Sequence, residues 1–336
     1  MRRTPARRPP PTRLRVRRPA DFLAVIPYLV GFHPDESVVA VFSHRGRVLL
    51  TARVDLPPPQ QAAELADSFA VISARHQVDE VVLVVYGAVA ADARAVLERL
   101  VGSVGAPIRE AVLVVGGRWW SLTCRSGCCP PEGTPYEPAS HPLAAEAVYA
   151  GLSAQPSRVE LQRQVGGPDE VDEVRLVAAA ATVQQQTAGQ DRGVRAALMA
   201  ATVRRYLESD EPPDDDDCLL LAVLAADIAV RDVAWAMVTR EDADDHLRVW
   251  SRTVARTPQD LARGPLGLLG VTAWIAGQGA LQNCCAERLH ELDPGYTLGR
   301  LLNDISERAL PPRSWDDMAD DMQEEVSAVA GLQRLH

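Results

Sequence analysis

Residues 81–117 read VVLVVYGAVAADARAVLERLVGSVGAPIREAVLVVGG. Val81 to Val85 is a continuous apolar, mostly β-branched run, the pattern of a strand covered on both faces. Ala91 to Leu100 has helical spacing, and Ala111 to Val115 repeats the buried-strand pattern. Two such strands joined by a helix predict a parallel pair with a right-handed crossover. Gly116-Gly117 is a two-residue turn signal leading into Arg118 to Leu122.

Upstream, Val38 to Phe42 and Val48 to Asp55 flank the turn His44-Arg45-Gly46 and predict a hairpin. Val48, Leu50, Ala52 and Val54 share one face of the second strand, and Leu49, Thr51, Arg53 and Asp55 the other. Residues 20–30 and Gln60 to His76 have helical spacing. The first part is therefore an α/β domain, a mixed sheet with crossover helices. Past about residue 155 every periodic segment is helical: 170–186, 194–208, 218–230, 233–239, 243–256, 266–277, 280–292 and 297–309. Pro and Gly clusters separate these segments. Leu269-Gly270 with Gly277, Ala286 and Pro294 echoes a single tetratricopeptide unit, so the second domain is expected to be all-α and tetratricopeptide-like. The division is a tail over 1–18, an α/β domain over 19–155, a helical domain over 156–312 and a helical extension over 313–336.

A chain of 336 residues with 47% hydrophobic and 24% charged residues has the composition of a soluble globular protein. All 35 basic residues are Arg. The absence of Lys excludes a P-loop lysine, a Schiff-base enzyme, a kinase strand lysine and a Ser-x-x-Lys pair. No complete catalytic motif remains, and the reading leans away from an enzyme. Residues 1–18 carry eight Arg and no acid, so the rest of the chain, with 27 Arg against 45 acids, has a formal charge of −18. An acidic body repels phosphates, which confines any weak nucleic-acid contact to the Arg- and Pro-rich tail, expected to be disordered. Arg17-Arg18 precedes an apolar stretch, but Pro27 interrupts it and no small-residue cleavage site follows, so export is rejected. No apolar run reaches membrane-span length, and six Cys are no secreted framework. A cytoplasmic location is expected, with no membrane contact.

Several strings carry a family resemblance. They are Ala20 to Leu23, Pro27 to Pro34, Ser37 to Val39, Arg53 to Pro57, Trp120-Ser121 and Cys128-Cys129-Pro130-Pro131-Glu132-Gly133-Thr134-Pro135. In the helical half they are Val230-Arg231-Asp232, Pro265 to Leu269, Ala273-Trp274 and Asp293 to Leu298. In this order they resemble the actinobacterial family called domain of unknown function 4192, over residues 19–312. The resemblance implies a cytoplasmic actinobacterial protein and supports the boundaries, while implying no activity.

Two constellations are candidate sites. Gly31, His33, Asp35 and Ser37 form a polar loop before a strand, and Arg53 and Asp55 share a strand face. With the Trp119–Tyr136 segment, including Trp120 and Glu132, they form a candidate ligand pocket at a strand end, either a small-ligand or enzyme site or a structural hydrogen-bonded loop. Cys124, Cys128 and Cys129, with His141 nearby, are open to three readings: structural thiols, zinc, or a redox thiol. No cofactor is otherwise expected. Asp214 to Asp217 reads as a helix cap and solvated loop, and Cys284-Cys285 as core packing. The leading expectation is a non-enzymatic interaction or regulatory scaffold that binds a protein partner.

Overall fold

Val81 to Val85 and Ala111 to Val115 lie at the centre of a six-stranded sheet in a computed structural model. It describes residues 14–124, 127, 129–209 and 211–330. The chain divides into two compact units between Arg158 and Val159.

In the first unit the strands are β1 (Ser37–His44), β2 (Arg47–Asp55), β3 (Glu80–Tyr86), β4 (Ile108–Val115), β5 (Arg118–Ser121) and β6 (Thr134–Pro135). Their spatial order is β2-β1-β3-β4-β5-β6. β3 and β4 are parallel and every other neighbouring pair is antiparallel. Because β1 opposes both its neighbours, β2, β3 and β4 all point one way. α2 (Ala62–Arg75) connects β2 to β3, skipping β1, and α3 (Ala90–Val101) connects β3 to β4. The mixed sheet with crossover helices follows.

Strand alternation divides the core in two. Val38, Ala40, Phe42, Val81, Leu83, Val85, Ala111 and Leu113 pack with Phe69 of α2 and Val96, Leu97 and Leu100 of α3. Phe42 meets Phe69 edge to face at 5.5 Å, and burial of each such ring is worth roughly 1.5–3 kcal/mol. Val39, Val41, Val82, Val84 and Val112 are buried on the opposite face. There α1 (Pro19–Val30) lies, with Arg109 of β4 stacked 5.2 Å over its Phe22. Ala24 and Val25 of α1 pack on Leu143 of α4 (Pro142–Tyr149). Leu14 and Val16 join that cluster, and the Val16 carbonyl accepts from Arg109 at 2.9 Å. Residues 14–18 therefore have defined contacts, which corrects the expectation of a tail disordered as far as residue 18. Residues 1–13 lie outside the described residues.

The second unit is built from α5 (Arg158–Gln164), α6 (Glu170–Thr187), α7 (Arg192–Leu207), α8 (Asp215–Leu224), α9 (Ile228–Ala236), α10 (Ala243–Ala255), α11 (Arg263–Ile275), α12 (Gly279–Leu292), α13 (Thr297–Glu307) and α14 (Ser314–Ala330). α11 is apolar all round, and every residue from Gly264 to Ile275 is buried, as a central helix requires. One boundary corrects the sequence reading: Cys218 to Val230 is two helices. The Asp227 carboxylate accepts from the Ala229 N–H at 3.1 Å and caps α9, so the acid inside the apolar run is a helix start. In the acidic run, Asp214 caps α8 by accepting from the Asp217 N–H. Asp215 is more than solvated: it bonds Arg175 of α6, Arg252 of α10 and Arg256 just after α10. Hydrogen bonding to Arg256, then to Arg175, outweighs burial and holds its carboxyl at about 2. Cys284 and Cys285 are core residues. Among the described residues, no helix is long and apolar enough to cross a membrane.

Candidate functional site

The strand register assembles one edge. Ser37 lies opposite both Asp55 and Tyr86, and Tyr86 lies opposite Val114. The start of β1 thus meets the carboxyl ends of β2, β3 and β4, the edge at which open α/β sheets bind ligands.

Gly31 closes α1 in the left-handed region at φ 88°, its N–H donating to the Pro27 carbonyl at 2.8 Å. The loop after it is pinned through its backbone, His33 N–H to Gln155 O at 3.0 Å and Gln155 N–H to Gly31 O at 2.8 Å. Arg53 then ties loop to strand. Its guanidinium lies 5.4 Å over Phe32, Nε donates to Ser37 Oγ at 2.9 Å, and Nη1 reaches Asp55 Oδ1 at 2.6 Å. The Ser37 hydroxyl donates to the Asp35 carbonyl. The structure therefore brings Gly31, His33, Asp35, Ser37, Arg53 and Asp55 together. Their polar groups bond chiefly to one another, which holds the loop's shape. Ser37 is fully buried, accepting from an arginine and donating to a backbone oxygen.

Glu36 is the member that sequence reasoning missed. It adopts φ 40°, its carbonyl accepts from Leu56 N–H at 2.8 Å, and its carboxylate accepts from Ala88 N–H after β3. Nothing in its residue type announces a left-handed conformation, which favours Gly or Asn.

Trp120 and Glu132 are placed elsewhere. Trp120 pairs with Leu113 and packs against the core shared with α2 and α3, while Trp119 projects to the other face. The Glu132 side chain is exposed. Of the Trp119–Tyr136 segment, Tyr136 reaches the strand-end edge, its ring 6.0 Å from Tyr86. Both hydroxyls are buried beside each other, and burial raises both phenols above their ordinary range.

A separate cleft of about 590 Å³ opens between α3 and the chain following β5, lined by Arg94, Trp120, Cys124 and Cys129 among others. Glu110 accepts from the hydroxyls of Ser121, at 2.5 Å, and Thr123. Cys128 lies outside the described residues. His141 is not part of this cleft: it caps α4, its Nδ1 accepting from Leu143 N–H at 3.2 Å and its Nε2 lying 3.4 Å from Asp21. Among the described residues, no group of three His, Cys, Asp or Glu is placed to hold a metal ion.

In the second unit, Arg231 is 3% exposed and donates to Tyr296 Oη at 2.7 Å and Asp232 Oδ1 at 2.8 Å. This ties α9 to the turn before α13, so these motif residues do structural work in a desolvated ion pair.

No curated protein and no solved structure matches the chain. A family model does, across residues 19–313, from the loop-bearing α1 through the Arg231 and Tyr296 motifs to the end of α13: the chain belongs to the family described as Domain of unknown function (DUF4192).

Proposed function

We propose that this chain is a non-enzymatic, cytoplasmic interaction or regulatory protein whose helical unit docks a protein partner on the outer face of α6. The supporting observation is that α6 is apolar on two faces. Leu176, Ala180 and Thr187 are buried inward. Val171, Val174 and Val177 are 84%, 75% and 47% exposed, and Ala178 and Ala181 continue that outer stripe at the spacing of a helix-packing seam. A helix with a free apolar stripe as well as a packed one is suited to a second helix. Acidic Glu170 beside the stripe and the acidic body favour a partner helix with basic flanks. The finer likeness to a tetratricopeptide unit rests on α11, α12 and α13, where Gly270 lets Leu302 pack directly onto the helix backbone.

The test is a cross-linking and affinity capture comparison of the wild type with Val171→Glu/Val174→Glu. Both positions are exposed, so the variant is expected to melt like the wild type while losing its partner. An equal set of captured proteins from a normally folded variant would sink the proposal. Dimerisation of the wild type alone, lost in the variant, would assign the face to a second copy instead.

A further inference from the structure

β6 closes one edge of the sheet and β2 the other. β6 is two residues long and contains Pro135, and both features keep a further strand from adding there. β2 runs for nine residues, RVLLTARVD, without proline. None of them is fully buried, whereas β1 beside it is buried at every position but His44. An edge of this length presents a row of main-chain N–H and C=O groups to any strand that fits it.

The register shows which groups these are. Ser37 lies opposite Asp55, and one step along the ladder Leu56 N–H donates to Glu36 O at 2.8 Å. Main-chain bonding alternates along an antiparallel strand, so Leu50, Ala52 and Val54 turn their N–H and C=O groups to β1. Thr51, Arg53 and Asp55 turn theirs outward, and among the described residues no main-chain group of the protein bonds them there. Phe42 pairs with Leu50 and Ser43 with Val48, which leaves Leu49 as a bulge and confines the regular edge to residues 50–55. Leu50, Ala52 and Val54 pack on the core shared with α2 and α3 but are only half-buried.

We propose that the open edge of β2 is a homodimer interface, in which β2 of a second copy pairs with it antiparallel about a two-fold axis at Ala52 and joins the two sheets into one. In this register Thr51 and Arg53 exchange both main-chain bonds with Arg53 and Thr51 of the second copy, and Ala52 faces its own equivalent at a position without such bonds. The strand is complementary to itself in three ways. Leu50 falls opposite Val54, so apolar surface meets apolar surface on the core side. Arg53 falls opposite Thr51, so like charges are not set face to face. The Arg47 end of each strand approaches the Asp55 end of the other, which brings opposite charges together twice. Such an isologous contact closes on itself and leaves no open edge between the copies. The first thirteen residues, with Pro5, Pro9, Pro10 and Pro11, lack the N–H donors that a pairing strand needs. β2 belongs to the first unit and α6 to the second, so this contact is independent of the α6 face.

The test measures the mass of the full-length protein by sedimentation equilibrium across a concentration series. The wild type is expected to pass from monomer to dimer. Thr51→Pro removes an outward N–H and no bond to β1, so it should keep the melting temperature and raise the dimer dissociation constant about 10–100-fold, two main-chain bonds being lost across the axis. Ala52→Cys reads the register directly. Residues facing each other at a position of that kind lie about 4.5 Å apart between Cα atoms, within reach of a disulfide. Mild oxidation should therefore link Ala52→Cys into a covalent dimer far faster than Val54→Cys or the wild type, which carries the native cysteines as a control. A wild type that stays monomeric throughout, or a folded Thr51→Pro protein that dimerises as tightly as the wild type, would overturn the interface. Equal cross-linking of Ala52→Cys and Val54→Cys would do the same, and this pair decides the matter alone if Thr51→Pro fails to fold. Dimerisation lost in Val171→Glu/Val174→Glu but kept in Thr51→Pro would place the contact on α6 and overturn the pairing of β2.

Discussion

His246, on α10, is fully buried, its ring facing Asp242 and the Met237 backbone. Burial lowers its pKa, while the carboxylates of Asp242, 3.9 Å from Nε2, and Asp245 pull the other way. An unfolded imidazole titrates near roughly 6.5. With the folded value lower, the unfolded chain binds more protons in the interval between the two. Stability is then complete above the unfolded value and falls as pH drops towards the folded one. Urea unfolding of the wild type at pH 7.5, 6.5 and 5.5 should show that decline, and His246→Leu should flatten it. Identical pH slopes in the two proteins would place the acid sensitivity elsewhere. Sequence reasoning could not single this residue out, because the spacing Asp242-x3-His246 is equally that of a solvated helix pair. Only the packing of α10 makes the site dry. The same limit hid Glu36 and Glu110, whose partners lie 52 and 13 residues away.

At the scale of elements, periodicity found the strands and the long helices because apolar spacing reflects burial directly, as in Val81 to Val85 against Ala111 to Val115. It failed at short elements and at the acid within the apolar run. α4 and α5 span eight and seven residues, too short to show a period. Asp227 was the deciding signal between α8 and α9, and its effect is measurable. Its carboxylate accepts from Ala229 N–H and bonds Arg192 and Arg195 of α7 at 3.2 and 2.9 Å. Burial alone would raise its pKa, but these arginines and the cap hold it low. Asp227→Ala should cost about 1–2 kcal/mol through removal of the cap, and it also leaves Arg192 and Arg195 without this carboxylate. Asp227→Asn keeps the cap acceptor and should be the milder change. Equal destabilisation by the two substitutions in chemical denaturation would show that the arginine pairing, and not the cap, sets the start of α9.

The whole chain separates charge, with eight Arg in residues 1–18 and −18 on the remainder. The structure gives residues 14–18 of that tail defined contacts. Leu14 and Val16 bury apolar surface, and the N–H groups of Arg17 and Arg18 donate to Asp21 Oδ2 at 2.8 and 2.9 Å, fastening the start of α1. Five of the eight Arg lie in residues 1–13. Deletion of residues 1–13 should leave the melting temperature unchanged, whereas deletion of residues 1–18 should lower it by removing the packing of Leu14 and Val16 and the capping bonds. The two deletions also test partners. Binding of the full chain to duplex DNA should be weak and fall with salt at a logarithmic slope of roughly −4, the release expected from about five phosphate contacts. Loss of residues 1–13 should abolish it without loss of fold, because an acidic body has little to offer a phosphate backbone. Binding that persists after that deletion would locate a basic surface within residues 14–336 and would count against a body that meets its partners chiefly through the apolar face of α6.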